Sequence, residues 1–142
     1  MAGSAVHRVL IVDDERVISD TLLKIFIQAG YDVRAVYSAE EAIEVVRTTH
    51  WIPQFTLVDV HLPGMSGIDL AILLKAECPD CKVSLFSGHA STSDLLEAAA
   101  RDGHIFEVLA KPVHPTDLLK LASERLTANV GGVNTEQVIA TN

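Results

Sequence analysis

Residues 57–67 read LVDVHLPGMSG, a stretch in which an apolar run ends at one carboxylate and a loop follows at once. Residues 55–58 before this carboxylate have the composition of a buried strand. The loop carries a proline and two glycines, and Gly64 and Gly67 allow backbone conformations that a sharp turn needs. Asp59 is therefore either an ordinary cap at the end of a strand or a chemical group that the strand holds in place.

Similar apolar segments alternate with amphipathic segments along the whole chain. The predicted strands cover residues 7–12, 31–36, 55–58, 83–86 and 105–109. The predicted helices cover residues 17–29, a segment opened by a capping box at 38–41, then 68–76, 91–100 and 115–126. Five such units in one chain predict an α/β fold with a doubly wound parallel sheet that has helices on both faces.

The composition argues against two classes of partner. The chain has 142 residues and a formal net charge of −8, so it has no excess of Lys and Arg with which to displace the counterions of a nucleic acid. We expect no direct binding of nucleic acid by this chain. No apolar run approaches the roughly 20 residues that cross a bilayer, and the N-terminal sequence MAGSAVHR lacks the apolar core of a signal peptide. We therefore expect no membrane contact and a cytoplasmic location.

The two cysteines lie in one C-x-x-C stretch, from Cys78 to Cys81, between a predicted helix and a predicted strand. A redox-active pair is expected at the start of a helix, where the thiolate is stabilised. A zinc site would need a second pair of ligands, which the sequence does not offer here. We interpret the pair as two ordinary thiols in a connecting turn.

Polar side chains gather at the carboxyl ends of the predicted strands, where parallel sheets of this kind bind ligands. The six residues are Asp13, Asp14, Glu15, Asp59, Ser87 and Lys111. Clustered carboxylates repel one another unless a cation lies among them, and Mg²⁺ suits carboxylates, a backbone carbonyl and a phosphoryl oxygen. With an ammonium and a hydroxyl opposite, Asp59 would be the natural phosphate acceptor. Each residue alone is more often a cap, a turn residue or a surface residue; their order and spacing together favour a site.

Four motifs resemble the receiver domain of two-component response regulators. They are VLIVDDE at 9–15, LVDVHLPGMSG at 57–67, SLFSGHA at 84–90 and LAKP at 109–112. The resemblance covers about residues 7–127 and implies a flavodoxin-like (βα)5 fold with strand order 2-1-3-4-5. It assigns a receiver domain to residues 6–128 and leaves residues 129–142 as a flexible C-terminal tail or a linker to a missing output domain.

The resemblance also implies how a metal and a phosphoryl group would be bound. Asp59 would accept the phosphoryl group from a histidine kinase or a phosphotransfer protein. Asp13 and Asp14 match the acid pair that holds Mg²⁺, and Asp14 is expected to be the more direct ligand. Asp59 itself and the backbone carbonyl of His61 would complete the metal site.

Two further residues match the family's phosphoryl-binding groups. Ser87 matches the hydroxyl that bonds the phosphoryl group and shifts on activation, and Lys111 matches the lysine that pairs with it. The bond from Lys111 to Pro112 would be cis. The acyl phosphate would hydrolyse slowly, so the domain would act as a timed switch, not as a turnover enzyme, and would change its binding to a downstream protein partner or an output domain.

The sequence departs from the family at the output side. The family usually has an aromatic residue three positions before the lysine, where this chain has Val108, with Phe106 two residues earlier. We therefore do not expect an aromatic switch at Val108. His61 and His89 flank the predicted pocket at positions that influence phosphate loss in the family. The alternative is that both are solvent-facing loop histidines.

Two other functions stay open on the sequence. An aspartate-nucleophile phosphatase typically carries a second aspartate two residues beyond the nucleophile, where this chain has His61. A receiver-like binding module that is never phosphorylated commonly lacks one or more pocket residues, whereas this chain has the full set. A Ser-His hydrolase is a poor reading of Ser87 and His89, because no nucleophile-elbow pattern surrounds them.

Overall fold

Strands and helices alternate from Arg8 to Thr127, as predicted. The computed structural model describes residues 6–88, 92–104, 106–111 and 113–127, with the backbone alone described at 92–95. The elements are β1 (Arg8–Val12), α1 (Arg16–Gln28), β2 (Asp32–Val36), α2 (Ala39–Thr48), β3 (Phe55–Asp59), α3 (Gly67–Glu77), β4 (Lys82–Ser87), α4 (Thr92–Arg101), β5 (Val108–Ala110) and α5 (Pro115–Thr127).

The five strands form one parallel sheet in the order β2-β1-β3-β4-β5, which confirms the flavodoxin-like fold. Successive side chains of a strand point to opposite faces, and both faces of this sheet are covered. Leu10 and Val12 of β1 pack into a core cluster with residues of α2, α3 and α4. Val9 and Ile11 pack into a second cluster with residues of α1 and α5. Burial on both faces explains why β1 is apolar at every position from Val9 to Val12.

The order of the strands places a crevice at the carboxyl ends of β1 and β3. These two strands are neighbours in the sheet. The chain leaves β1 toward α1 on one face and leaves β3 toward α3 on the other face. Because the two connections diverge, none of the described helices covers the space between them, and ligands of such sheets bind there.

The first helix, α1, packs beside this crevice and is bonded to the end of β1. Leu22 and Phe26 are buried at the helical spacing that the sequence predicts, and Ser19 is buried beside them. The hydroxyl of Ser19 donates to the backbone carbonyl of Asp13 at 2.7 Å, which ties the helix to the end of β1. Gly30 follows the helix end with a φ of 98°, a conformation that favours glycine and is common just after a helix.

The fifth strand differs from its predicted bounds. The prediction was residues 105–109, whereas β5 has three residues, Val108–Ala110. Residue 105 lies outside the described residues. The amide of Leu85 donates to the carbonyl of Glu107 at 2.9 Å and the amide of Lys111 to the carbonyl of Ser87 at 2.9 Å, so these two bonds bracket the strand. The side chain of Glu107 pairs with Arg125 on α5. This pairing links Glu107 to α5, a long-range contact that strand propensity cannot show.

The cysteines lie in a turn, as predicted. Cys78 caps the end of α3, and the amide of Cys81 donates to the carbonyl of Cys78 at 2.9 Å. Both are free thiols and buried. Burial raises the pKa of Cys78, and burial raises the pKa of Cys81 to about 11, so the thiolate form that redox chemistry needs is disfavoured.

No helix within the described ranges is long and apolar enough to cross a bilayer. The predicted tail at 129–142 lies outside the described residues.

Candidate functional site

The predicted site residues at the ends of β1 and β3 lie next to each other. Val12 and Val58 are paired across the two strands, so the residues that follow them, Asp13 and Asp59, end the strands side by side. Asp13 is fully buried and Asp59 is 4% exposed, whereas Asp14 is exposed. A residue that only caps a strand end does not need a second buried carboxylate beside it. The arrangement therefore favours a chemical site over a structural cap.

Three carboxylates form a cluster that could hold a metal ion. One carboxylate oxygen from each of Asp13, Asp14 and Asp59 lies within 4.8 Å of the others. Hard oxygen ligands at this spacing suit Mg²⁺, which takes one or two carboxylates and keeps several waters. Receiver domains typically bind this ion, and the donor set of this chain fits it.

Lys111 reaches into the cluster from the end of β5. Its ammonium donates to Asp13 Oδ2 at 2.9 Å and lies 3.3 Å from Asp59 Oδ2. Glu15 Oε1 is farther away, at 3.6 Å from the same nitrogen. Burial acts to lower the pKa of Lys111, but the bonds to Asp13 and Asp59 outweigh it and raise the pKa. The ammonium therefore stays charged beside the two buried carboxylates.

The carboxyl group of Asp59 has a raised pKa. Burial raises the pKa of Asp59 from 3.8 to about 6, and the negative charge of Asp13 acts in the same direction. The amide of His61 and the ammonium of Lys111 oppose this rise without cancelling it. A carboxylate with a raised pKa is a stronger base than an exposed one. Its charged form is stabilised when a cation or an electrophile approaches.

Backbone amides orient both buried carboxylates. The amide of His61 donates to Asp59 Oδ1 at 3.2 Å, and the amide of Glu15 donates to Asp13 Oδ1 at 2.9 Å. In each case Lys111 contacts the other oxygen, Oδ2. The carboxylates are thus held by local turns on one side and by a residue distant in sequence on the other.

The two glycines of the loop after β3 have different roles. Gly64 has a φ of 79°, a conformation that favours glycine. Gly67 does not have a positive φ; instead, a Cβ at this position would lie 1.9 Å from the backbone carbonyl oxygen of Asp59. Gly67 also donates its amide to the carbonyl of Val60 at 2.7 Å. The loop therefore folds directly against the strand that carries Asp59, which corrects the reading of Gly67 as a residue of unusual backbone conformation.

A cavity of about 270 Å³ opens over the cluster. Its lining residues are Asp14, Glu15, Asp59, His61, Gly88 and Lys111. The side of the site that faces this cavity holds two exposed carboxylates, a buried one and an ammonium. An incoming anionic group would meet Lys111 and, when bound, the metal, while Asp59 lies within reach of solvent-borne reactants.

The remaining predicted residues have varied placements. Ser87 ends β4, is 6% exposed, and bonds Lys111 through its backbone carbonyl. Val108 is partly buried and packs, with Phe106, against the core cluster on the α2, α3 and α4 face. His89 and Pro112 lie outside the described residues.

Two contributions to the site were not predicted as site residues. Glu15 was predicted to lie at this edge of the sheet but was given no role there, and it lies close to Lys111. Phe86 precedes Ser87 and has its ring 4.5 Å from the Lys111 nitrogen. Its position beside a predicted strand end was visible in the sequence, but an aromatic residue in a buried strand is usually only a core residue.

Comparisons with known proteins agree with this geometry. The family model for the response regulator receiver domain matches residues 9–123. The transcriptional regulatory protein PgtA of the phosphoglycerate transport system of Salmonella typhimurium is 33% identical over 118 residues, which are 83% of this chain and 28% of that protein. The DNA-binding response regulator MtrA of Mycobacterium tuberculosis is 29% identical over 126 residues, which are 87% of this chain and 52% of that protein. The chain thus spans from about a quarter to about half of the length of these relatives.

Solved structures show the same similarity. A CheY-like response regulator receiver domain protein from Methanospirillum hungatei superimposes with a TM-score of 0.76 at 29% identity, over 86% of this chain and 94% of that one. The family match covers most of the chain and includes every strand end that forms the acidic cluster. The chain therefore belongs to the response regulator receiver domain family, the family that its four motifs resemble.

Proposed function

We propose that Asp59 accepts a phosphoryl group from a histidine kinase or a phosphotransfer protein and that this modification switches the binding of a partner. The observation that carries the proposal is the placement of Asp59, a buried carboxylate at an open cavity, between two other carboxylates and the Lys111 ammonium. The receiver domain would comprise residues 6–128.

Each residue of the cluster has a role in the proposed transfer. An oxygen of Asp59 attacks phosphorus, the bond from phosphorus to the donor nitrogen breaks, and that nitrogen keeps the electron pair and is protonated. Lys111 would neutralise charge on the transferred group, because its ammonium is already 3.3 Å from an Asp59 oxygen. Ser87 would bond the phosphoryl oxygens from the end of β4.

The acidic residues would supply the metal site. Asp14, Asp13 and Asp59, with the backbone carbonyl of His61, would hold Mg²⁺, which neutralises negative charge on the phosphoryl group. Asp13 is fully buried and bonded to Lys111, so exposed Asp14 is the carboxylate that is freest to turn toward the ion. His61 and His89 would tune the rate of phosphate loss.

The output of the switch would lie outside the receiver domain. Relatives such as MtrA are described as DNA-binding response regulators, and this chain spans about half of that protein. The phosphorylated domain would act on an output domain or on a separate downstream protein, and DNA contact would belong to that partner. The acidic charge of −8 fits this division of roles.

The test is a phosphorylation assay read by mass. The protein is incubated with Mg²⁺ and acetyl phosphate, and intact mass should increase by one phosphoryl group per chain. Asp59→Asn should abolish the adduct, whereas the matched control Asp69→Asn, which removes a carboxylate from the first turn of α3, should keep it. Intact mass is a better readout than tryptophan fluorescence. Trp51 bonds Asp32 at the start of β2, at the sheet edge away from Asp59, so its emission should not respond to the adduct.

Three outcomes separate the candidate functions. A single, slowly lost adduct at Asp59 supports the switch. No adduct in the unaltered protein would refute it in favour of a binding module that is never phosphorylated. Rapid multiple turnover of phosphomonoesters would instead favour the phosphatase.

A further inference from the structure

The ammonium of Lys111 has an aromatic neighbour as well as acidic ones. Its nitrogen lies 4.5 Å from the centroid of the Phe86 ring. Phe86 is only 2% exposed, and the side chain of Lys111 is 15% exposed. A cation within about 6 Å of a ring face is attracted by the ring's quadrupole, and this attraction grows when water is excluded.

The register of the sheet explains why this ring lies under this lysine. Phe86 is paired with Asp59 on β3 and with Leu109 on β5. Paired residues of neighbouring parallel strands point to the same face, and Lys111 follows Leu109 by two positions, so it shares that face. The register alone therefore brings Phe86, Asp59 and Lys111 to the α1 and α5 side of the sheet.

The ring is held firmly in this position. Phe86 belongs to the core cluster that includes Leu57, Leu118 and Leu121, and its backbone carbonyl accepts the amide of Val60 at 3.0 Å. Its ring and the stem of Lys111 both line an apolar groove between α1 and α5. A ring fixed on several sides can restrict a flexible lysine, whose alkyl chain otherwise has several rotatable bonds.

The attraction of the ring does not depend on the state of the carboxylates. Asp13 and Asp59 hold Lys111 in the present arrangement, but both are also candidate ligands for a metal, and Asp59 is the proposed acceptor. A carboxylate that binds a cation or a phosphoryl group gives up part of its bond to the ammonium. The ring is a ligand neither for a metal nor for a phosphoryl group, so its attraction for the ammonium does not compete with either.

We propose that Phe86 is a positioning residue that keeps the Lys111 ammonium beside Asp59 during phosphoryl transfer, through a cation–π contact. This inference rests on the proposed function of Asp59 as phosphoryl acceptor. It assigns a role in the reaction to a buried aromatic residue that otherwise reads as part of the core.

The decisive experiment lowers the electron density of the Phe86 ring and keeps the shape of the ring nearly unchanged. Mono-, di- and trifluorophenylalanine are introduced at position 86, and the rate constant of adduct formation with acetyl phosphate and Mg²⁺ is measured by intact mass. Fluorine withdraws charge from the ring face, so the rate should fall stepwise, by about twofold to thirtyfold at trifluorophenylalanine. The same series at Phe55, a fully buried aromatic of β3 over which the described part of the chain places no cation, should leave the rate unchanged.

A second measurement needs neither metal nor phosphoryl donor. Urea unfolding of the unaltered protein, Phe86→Leu, Lys111→Met and the double variant gives the coupling between the two side chains. The unfolding equilibrium constant should show a coupling of about twofold to thirtyfold. Leucine keeps the groove largely filled. The stability lost by replacing the ring in the core is the same with Lys111 and with Met at position 111, so it cancels in the cycle.

Each outcome has a distinct meaning. Rates that do not depend on fluorine content would overturn the positioning role, and so would a coupling indistinguishable from onefold. Absence of any adduct in the unaltered protein contradicts the proposed function instead, and the urea cycle still decides whether Phe86 holds Lys111.

Discussion

Replacing Asp59 with Asn should make the metal-free protein more stable at neutral pH. Burial and the charge of Asp13 raise the pKa of Asp59 from 3.8 to about 6. The folded protein therefore binds a proton that the unfolded chain has already released between these pH values. Stability falls as pH rises through this window, because the folded state must then keep an unfavourable buried charge.

The magnitude follows from the size of the pKa change. One pKa unit corresponds to about 1.4 kcal/mol, so the rise of Asp59 amounts to about 3 kcal/mol at pH above the window. The opposing effect of Lys111, 3.3 Å away, is already included in this net rise, and Asn removes the charge altogether. We expect a net gain of about 1–3 kcal/mol in the free energy of unfolding near pH 7.5, and little change near pH 4, where Asp59 is protonated in the folded state.

The assay is urea unfolding of both proteins with a metal chelator at several pH values. Asp102→Asn, which removes an exposed carboxylate beyond the end of α4, is the control and should change stability by less than about 0.5 kcal/mol at every pH. A difference between the Asp59→Asn variant and the unaltered protein that is the same at both ends of the pH range would refute the reasoning. A loss of stability near pH 7.5 would show that the bond to Lys111 outweighs the burial of the charge.

Three further results are expected. Gly67→Ala should destabilise the protein by about 1–3 kcal/mol or more in thermal unfolding, because the new Cβ would lie 1.9 Å from a backbone oxygen of β3. Gly88→Ala is the control and should destabilise it little, because the new Cβ would lie 3.7 Å from the Cβ of Lys111. Arg125→Met should cost about 1–2 kcal/mol in urea unfolding by leaving partly buried Glu107 without its partner; a change below about 0.5 kcal/mol would contradict this. Trp51 emission should stay constant on phosphorylation, since its indole bonds the start of β2.

The fold was readable because burial leaves a periodic trace in the sequence. A strand covered on both faces must be apolar at successive positions, as Val9 to Val12 are, and a helix on a sheet must repeat its apolar residues at helical spacing, as Leu22 and Phe26 do. The predicted bounds of β5 were wrong because the bounds of a strand depend on backbone pairing with its neighbour, here the bonds between β4 and β5. Periodicity carries no information about such a contact.

The composition of the site was also set by the sequence. Strand ends of a parallel sheet meet at one edge, so the positions of Asp13, Asp59, Ser87 and Lys111 after their apolar runs were enough to name them as neighbours. The four motifs then pointed to the receiver family, which the family match confirms.

The energetics of the site were decided by the tertiary structure alone. The raised pKa of Asp59 and the ring of Phe86 beneath Lys111 depend on distances between residues far apart in the chain, and the steric need for Gly67 depends on how the loop folds back onto Asp59. Register across β3, β4 and β5 places Phe86 beneath Lys111, and a shift of one residue would turn Phe86 to the other face. The sequence by itself determined which chemical groups reach the edge of the sheet; the packing of the sheet decided how strongly each one is buried, charged and held.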